Sequence, residues 1–145
     1  MSDKYEALKL ENQLCFPLYA ASKEVVRRYK PFLDELNLTY TQYITLLVLW
    51  EQKSLSVKEL GKFLFLDSGT LTPVLKALEK KGYVSRKKSK ADERVLMVAV
   101  TDKGMKLRER AVDIPQKIGY CVDLEEEYAG QLFQILQRML KGFQK

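Results

Sequence analysis

Two residues of this chain carry thiols, Cys15 and Cys121, and the sequence contains no histidine. Cys15 sits in the stretch LENQLCFPLY, residues 10 to 19, two positions before Pro17. Proline has no backbone N–H, so it fits best in the first turn of a helix, where that donor would be orphaned anyway. Cys15 is therefore predicted to stand at a helix start. The positive end of the helix dipole favours a thiolate there, and the thiolate is both the nucleophilic and the oxidisable form of cysteine. The competing reading is inert packing of a small apolar side chain in a helical stripe. The lack of histidine excludes Cys–His nucleophilic catalysis. Two cysteines alone make a poor structural zinc set, so neither a metal nor a cofactor is expected. No glycine loop of the kind that cradles phosphates is present.

Charge is the second candidate chemistry. The net charge is +6 and the isoelectric point about 9.2. Between Ser68 and Arg94 stand Lys76, Lys80, Lys81, Arg86, Lys87, Lys88, Lys90 and Arg94 against Glu79, Asp92 and Glu93, a surplus of five positive charges in one segment. A charge run is often only a solvated face, but this concentration favours a polyanionic partner.

The elements that must position these groups are legible as periodicities. Leu14, Leu18, Ala21, Val25, Tyr29 and Phe32 recur three or four apart, the stripe of a long amphipathic helix that Pro31 and DELNLT are expected to close. A second helix follows, capped by Thr39 or Thr41 and apolar on most sides through Tyr43, Ile44, Leu47, Val48 and Trp50. Ser56 with Glu59 reads as a capping box for a short third helix. Asp67 or Ser68 opens a fourth that ends at Gly82. YVSRKK and RVLMVAVT are rich in β-branched residues and joined by SKADE, which reads as a hairpin. Thr101 and Asp102 begin a further helix interrupted around Ile114-Pro115, and a last helix runs through Leu124, Tyr128, Leu132, Ile135, Leu136, Met139 and Phe143. The fold class is thus mainly α with a small antiparallel wing, a winged helix-turn-helix in one domain spanning residues 1–145. No stretch is long and apolar enough for a membrane span and no signal peptide is apparent, so a cytoplasmic location without membrane contact is expected.

The second helix of a helix-turn-helix enters the major groove with its N-terminal residues facing base edges. Here those residues are Ser68, Thr70, Thr72, Pro73 and Lys76; hydroxyls and small side chains suit close approach, although Ser68 and Thr70 would serve equally as helix caps. In the wing, Arg86, Lys87, Lys88, Lys90 and Arg94 can track phosphates, and Asp92 can orient the Arg94 guanidinium. Residues 91 to 104, ADERVLMVAVTDKG, carry D-x-R-x(6)-T-x-x-G, and this resembles the wing signature of the MarR family of winged-helix regulators, with Val100 where leucine is commoner. The resemblance covers nearly the whole chain. It implies a homodimer clasped by helices at about 7–33 and 102–143, a DNA-binding region at about 41–101, and a near-palindromic operator in double-stranded DNA.

Residues 10 to 43 closely resemble the N-terminal segment of the organic hydroperoxide-sensing (OhrR-like) repressors within that family, including Cys15, Tyr29 and Tyr40. The resemblance implies that organic hydroperoxide is the inducer and Cys15 the peroxidatic cysteine, with Tyr29 and Tyr40 of the partner subunit donating hydrogen bonds to its thiolate and Tyr19, one turn along, assisting. It also implies Cys121 as a resolving thiol that forms an intersubunit disulfide with Cys15 and releases DNA. Cys121 as a bystander, and resolution of Cys15 by a small thiol, stay open. So do a repressor released by a small aromatic ligand, a thiol peroxidase, and an architectural DNA binder without sequence preference. Phe16 and Trp50 are read as apolar walls.

Overall fold

Twenty residues, Cys15–Asp34, form helix α1 in the computed structural model, which describes residues 3–144. Two single turns of 3-10 helix, Glu6–Leu8 and Leu10–Asn12, lead into it. Pro31 lies inside α1 rather than closing it. The carbonyl it deprives of a partner belongs to Arg27, one turn back on the exposed side and open to solvent. The chain turns instead at Asn37, whose φ of 56° puts it in the left-handed region. Thr39 then caps α2 (Tyr40–Gln52) through a full capping box with Gln42.

The helix-turn-helix comprises α3 (Val57–Leu64) and α4 (Ser68–Lys80). Ser56 and Glu59 form the expected capping box of α3, and Asp67 caps α4 by accepting from the Thr70 N–H at 2.7 Å. The tight return between the helices explains Gly61: a Cβ there would lie 2.6 Å from the Leu66 carbonyl oxygen. Leu60, Leu71, Leu75 and Leu78 meet Leu46 and Leu49 of α2 in the core, so α4 is held by its inward leucines while its outer face stays free.

The hairpin forms as β2 (Val84–Lys88) and β3 (Leu96–Val100), with Val84 opposite Val100 and Lys88 opposite Leu96. A strand not anticipated from the sequence, β1 (Ser54–Ser56), pairs antiparallel on the other side of β3, with Leu55 opposite Val98. The sheet order is β1-β3-β2. Val98, fully buried, anchors the wing to the core.

Helix α5 (Asp102–Ala111) starts at the Thr101 cap. Thr101 also donates its hydroxyl to the Gly82 carbonyl at 2.6 Å, and the indole Nε1 of buried Trp50 donates to the Gly104 carbonyl at 2.8 Å. Trp50 is therefore a core residue that ties α2 to the base of the wing. The chain divides into two compact units after Ile114. The break in the helix falls at Val112–Asp113, and α6 (Ile114–Cys121) has Pro115 in its first turn, where the missing N–H costs nothing. Cys121 is the last residue of α6, not an early residue of the final helix, which is α7 (Glu126–Phe143); Leu124 precedes it. No residue of α7 is buried, and Phe133, Ile135 and Phe143 are more than half exposed. No helix among the described residues is long and apolar enough to cross a membrane.

Candidate nucleic-acid interface and thiol site

Asp67 sets the entrance of α4, and its hydrogen bonds from Thr70 hold its carboxyl below the usual carboxylate range. Ser68, Thr70 and Pro73 are exposed along the first turns, as is Lys76 one turn further. Thr72 is half-buried and donates its hydroxyl to the Ser68 carbonyl at 2.7 Å, leaving its methyl and lone pairs for a partner. The first turn of α4 thus offers small, hydroxylated and largely exposed side chains, which suits close approach to base edges.

The wing sorts its cations. Lys87, Lys88 and Lys90 are exposed and have no ion-pair partner among the described residues. Arg94 is held by Asp92 through two contacts, Nε to Oδ1 at 3.2 Å and Nη2 to Oδ2 at 3.3 Å, while its side chain remains 90% exposed. The guanidinium is oriented yet open, and it lowers the Asp92 pKa. Arg86 is engaged differently: it pairs with Glu79 of α4 at 3.0 Å, is largely covered, and pulls the Glu79 carboxyl below its usual range. It joins wing to helix. Lys81 also turns inward, toward the α1–α2 connection. Glu79 was not singled out from the sequence, since nothing in a spacing of seven residues across two elements signals the pair.

The four signature positions each acquire a task. Asp92 and Arg94 shape the wing tip, Thr101 caps α5 and bonds Gly82, and Gly104 allows α5 to pack on the entry of β2. A Cβ at position 104 would lie 2.3 Å from the Tyr83 carbonyl oxygen and 2.7 Å from Val100 Cγ2.

Cys15 is the first residue of α1 and is exposed, with a free thiol. The preceding Leu14 provides no side-chain cap, so the first-turn amides face outward unpartnered by a cap. Beside it lies a shallow open groove lined by Lys9, Leu10, Glu11, Gln13, Phe16 and Pro17. Tyr19, one turn on, is exposed under the Lys23 ammonium, which sits 5.0 Å from its ring centre. Tyr29 and Tyr40 are brought together elsewhere: their ring centres are 4.9 Å apart, and Tyr43 completes a triad at 5.7 Å from Tyr29. Burial, reinforced by the neighbouring phenols, pushes Tyr29 up to about 12, and burial also raises Tyr40 and Tyr43. All three therefore stay protonated well above neutral pH, each keeping an O–H that a partner can accept. Tyr29 follows Cys15 by fourteen residues on the same helix, about 21 Å along its axis at 1.5 Å per residue, beyond the reach of any phenol. In a single chain the thiol and the phenol pair are separate groups. Cys121, also free and exposed, ends α6.

Comparison with known proteins follows the same lines. The family model for the transcriptional regulator SarA/Rot matches residues 27–111. An organic hydroperoxide resistance transcriptional regulator of Bacillus subtilis is 54% identical over 118 residues, 81% of this chain and 80% of the relative. The solved structure of reduced AbfR bound to DNA, a Staphylococcus epidermidis protein, superposes with a TM-score of 0.79 at 35% identity over 99% of this chain and 100% of that one. The disulfide form of AbfR superposes with a TM-score of 0.62 at 36% identity over 97% and 95% of the two chains. Fold and relatives together define a winged-helix transcriptional regulator. The chain belongs to the MarR family of winged-helix regulators, in its OhrR-like branch.

Proposed function

We propose that this protein is a cytoplasmic homodimeric repressor that binds a near-palindromic operator and releases it when an organic hydroperoxide oxidises Cys15. The observation that carries the reading is the placement of Cys15, exposed at the uncapped start of α1, with the Tyr29–Tyr40 phenol pair at the far end of that helix and the start of α2. Only a second chain, its α1 lying alongside, can bring those donors to the thiol. Exposed apolar side chains support such a dimer on both terminal segments: Leu10, Leu14 and Leu18 at one, Tyr128, Leu132, Phe133 and Ile135 at the other. Residues of about 7–33 and 102–143 would form the interface and about 41–101 the DNA-binding region, with Ser68, Thr70, Thr72, Pro73 and Lys76 at base edges and Lys87, Lys88, Lys90 and Arg94 on phosphates. Arg86 acts there through its bond to Glu79.

The chemistry balances as follows. The Cys15 thiolate attacks the terminal oxygen of R–O–O–H, the O–O bond breaks, the alkoxide takes a proton and leaves as ROH, and Cys15 becomes a sulfenic acid. The thiol of Cys121 of the partner subunit then attacks that sulfur, water leaves, and a disulfide forms. The Bacillus relative named for organic hydroperoxide resistance supports the oxidant class. That AbfR is known in a reduced DNA-bound form and in a disulfide form, which superpose on this chain with TM-scores of 0.79 and 0.62, supports a disulfide switch.

The test is operator binding before and after stoichiometric cumene hydroperoxide, with non-reducing mass analysis of wild type, Cys15→Ser and Cys121→Ser. Release from wild type but not from Cys15→Ser, with a 15–121 crosslink, is expected. Release persisting in Cys15→Ser would refute the reading and move the signal to a non-covalent ligand.

A further inference from the structure

Lys81 is the residue that ends the recognition helix, and its ammonium does not face the DNA side. It donates to the Asn37 carbonyl oxygen at 2.5 Å and to Gln42 Oε1 at 3.0 Å. One acceptor lies in the connection between α1 and α2 and the other in the first turn of α2. Asn37 is the left-handed residue that ends the α1 turn, and Gln42 is the third residue of α2. The same Gln42 oxygen accepts from the Thr39 N–H at 3.2 Å, so Lys81 grips the capping box of α2 itself. A second cation holds the other side of the turn, with Arg110 Nη2 donating to the Glu35 carbonyl at 3.0 Å.

The position of this grip matters because of what flanks it. Tyr29 is on α1 two turns before the connection, and Tyr40 is the first residue of α2, between Thr39 and Gln42. The two phenols proposed to receive the partner's thiolate thus stand on the two helix ends that Lys81 joins. No ion pair involves Lys81 among the described residues. Its charge, half-covered and with a pKa lowered by desolvation, is held by two neutral oxygens. Such bonds depend steeply on distance and angle, so a displacement on the order of 1 Å breaks them.

We propose that Lys81 is the latch that couples the tyrosine end of the sensor helix to the recognition helix, so that a shift of Tyr29 and Tyr40 on oxidation of Cys15 is transmitted through Asn37 and Gln42 to the C-terminus of α4. This rests on the redox reading above and adds the route by which it reaches DNA. Lys81 is a positioning residue in this scheme, touching neither oxidant nor operator.

The experiment measures operator affinity by fluorescence anisotropy for wild type, Lys81→Met and Lys81→Arg, each reduced and after stoichiometric cumene hydroperoxide. In wild type the affinity falls on oxidation. In Lys81→Met, reduced binding stays within a few fold of wild type while the fall on oxidation shrinks about tenfold or more; Lys81→Arg, which can still bridge both oxygens, restores it. A Lys81→Met protein that loses affinity equally in both states, keeping the wild-type ratio, overturns the proposal and leaves Lys81 a stabilising contact only. Should Lys81→Met fail to fold, hydrogen exchange in wild type decides: segments 37–42 and 77–82 are expected to gain exchange together on oxidation, and a gain confined to 37–42 overturns the coupling. A wild type whose operator affinity ignores hydroperoxide overturns the redox reading and this proposal with it.

Discussion

Gly104 joins three parts of the DNA-binding unit, and replacing it by alanine tests whether that junction is as tight as it looks. The added Cβ would lie 2.3 Å from the Tyr83 carbonyl oxygen, where ordinary contact starts at 3.4 Å, so α5 must withdraw by about 1.1 Å from the entry of β2. The obstacle is backbone and cannot swing away, and Val100 Cγ2 at 2.7 Å blocks a sideways move. Overpacking of this kind costs about 1–3 kcal/mol. The withdrawal also stretches the Trp50 Nε1 bond to the Gly104 carbonyl, 2.8 Å long and buried, a further loss of about 1 kcal/mol. We expect Gly104→Ala to be destabilised by about 2–4 kcal/mol in urea titration, with Tm lower by roughly 5–15 °C. Both proteins are compared at one chain concentration, because the stability of the proposed dimer would depend on it. A loss below about 0.5 kcal/mol, the range of an ordinary surface change, would refute the reasoning and mean that wing and α5 part freely.

Further outcomes follow from the two clusters. Tyr29, at about 12, gains from folding a protonated phenol. Its contribution is fully present below the ordinary tyrosine value of about 10 and is lost as pH rises from there through about 12. An alkaline titration followed at the phenolate absorbance should show a late-ionising group that Tyr29→Phe removes; full ionisation of all eight tyrosines near pH 10 in folded protein would count against the triad. The same substitution should slow oxidation of Cys15 about tenfold, read by loss of free thiol after hydroperoxide, because a charge-assisted donor to the thiolate is gone. An unchanged rate would remove Tyr29 from the site. Asp92→Ala frees the Arg94 guanidinium and should weaken operator binding about twofold to tenfold, the cost of ordering one long side chain on the DNA. An identical Kd would show that Arg94 needs no orientation. With Lys87, Lys88, Lys90 and Arg94 as the phosphate-facing cations of each subunit, the proposed dimer should show a log–log salt slope of about −7 at most in magnitude, where counting Lys80, Lys81 and Arg86 as well would give about −13. A slope at the steeper value would return Arg86 and Lys81 to the DNA.

Much of this fold was legible because its signals are local. Ser56 with Glu59, Thr39 with Gln42 and Thr101 with Gly104 act within one turn, and the leucines of α4 repeat at the period of the helix they bury. β1 was not legible, because Ser54–Ser56 has one apolar side chain and becomes a strand only where β3 offers an open edge. Pro31 misled because a proline's effect depends on whether the orphaned carbonyl faces water, which is a tertiary fact.

The candidate site divides along the same line. Residue types named the thiols and the basic segment, and the family resemblance named the phenols, but the charge count could not see that Arg86 is spent on Glu79 or that Lys81 points away from the wing. Those pairings join positions seven and thirty-nine or more residues apart and are fixed only by packing. Separation also gave the thiol site its meaning. The fourteen-residue spacing from Cys15 to Tyr29 is readable in the sequence, yet it becomes a distance only once both residues share one unbroken helix. Had α1 stopped or bent between them, a single chain could have closed the site on itself. Because it runs unbroken past Tyr29 to Asp34, the thiol and the phenol of one chain stay about 21 Å apart, and the proposed redox sensing and the proposed dimer become one requirement rather than two.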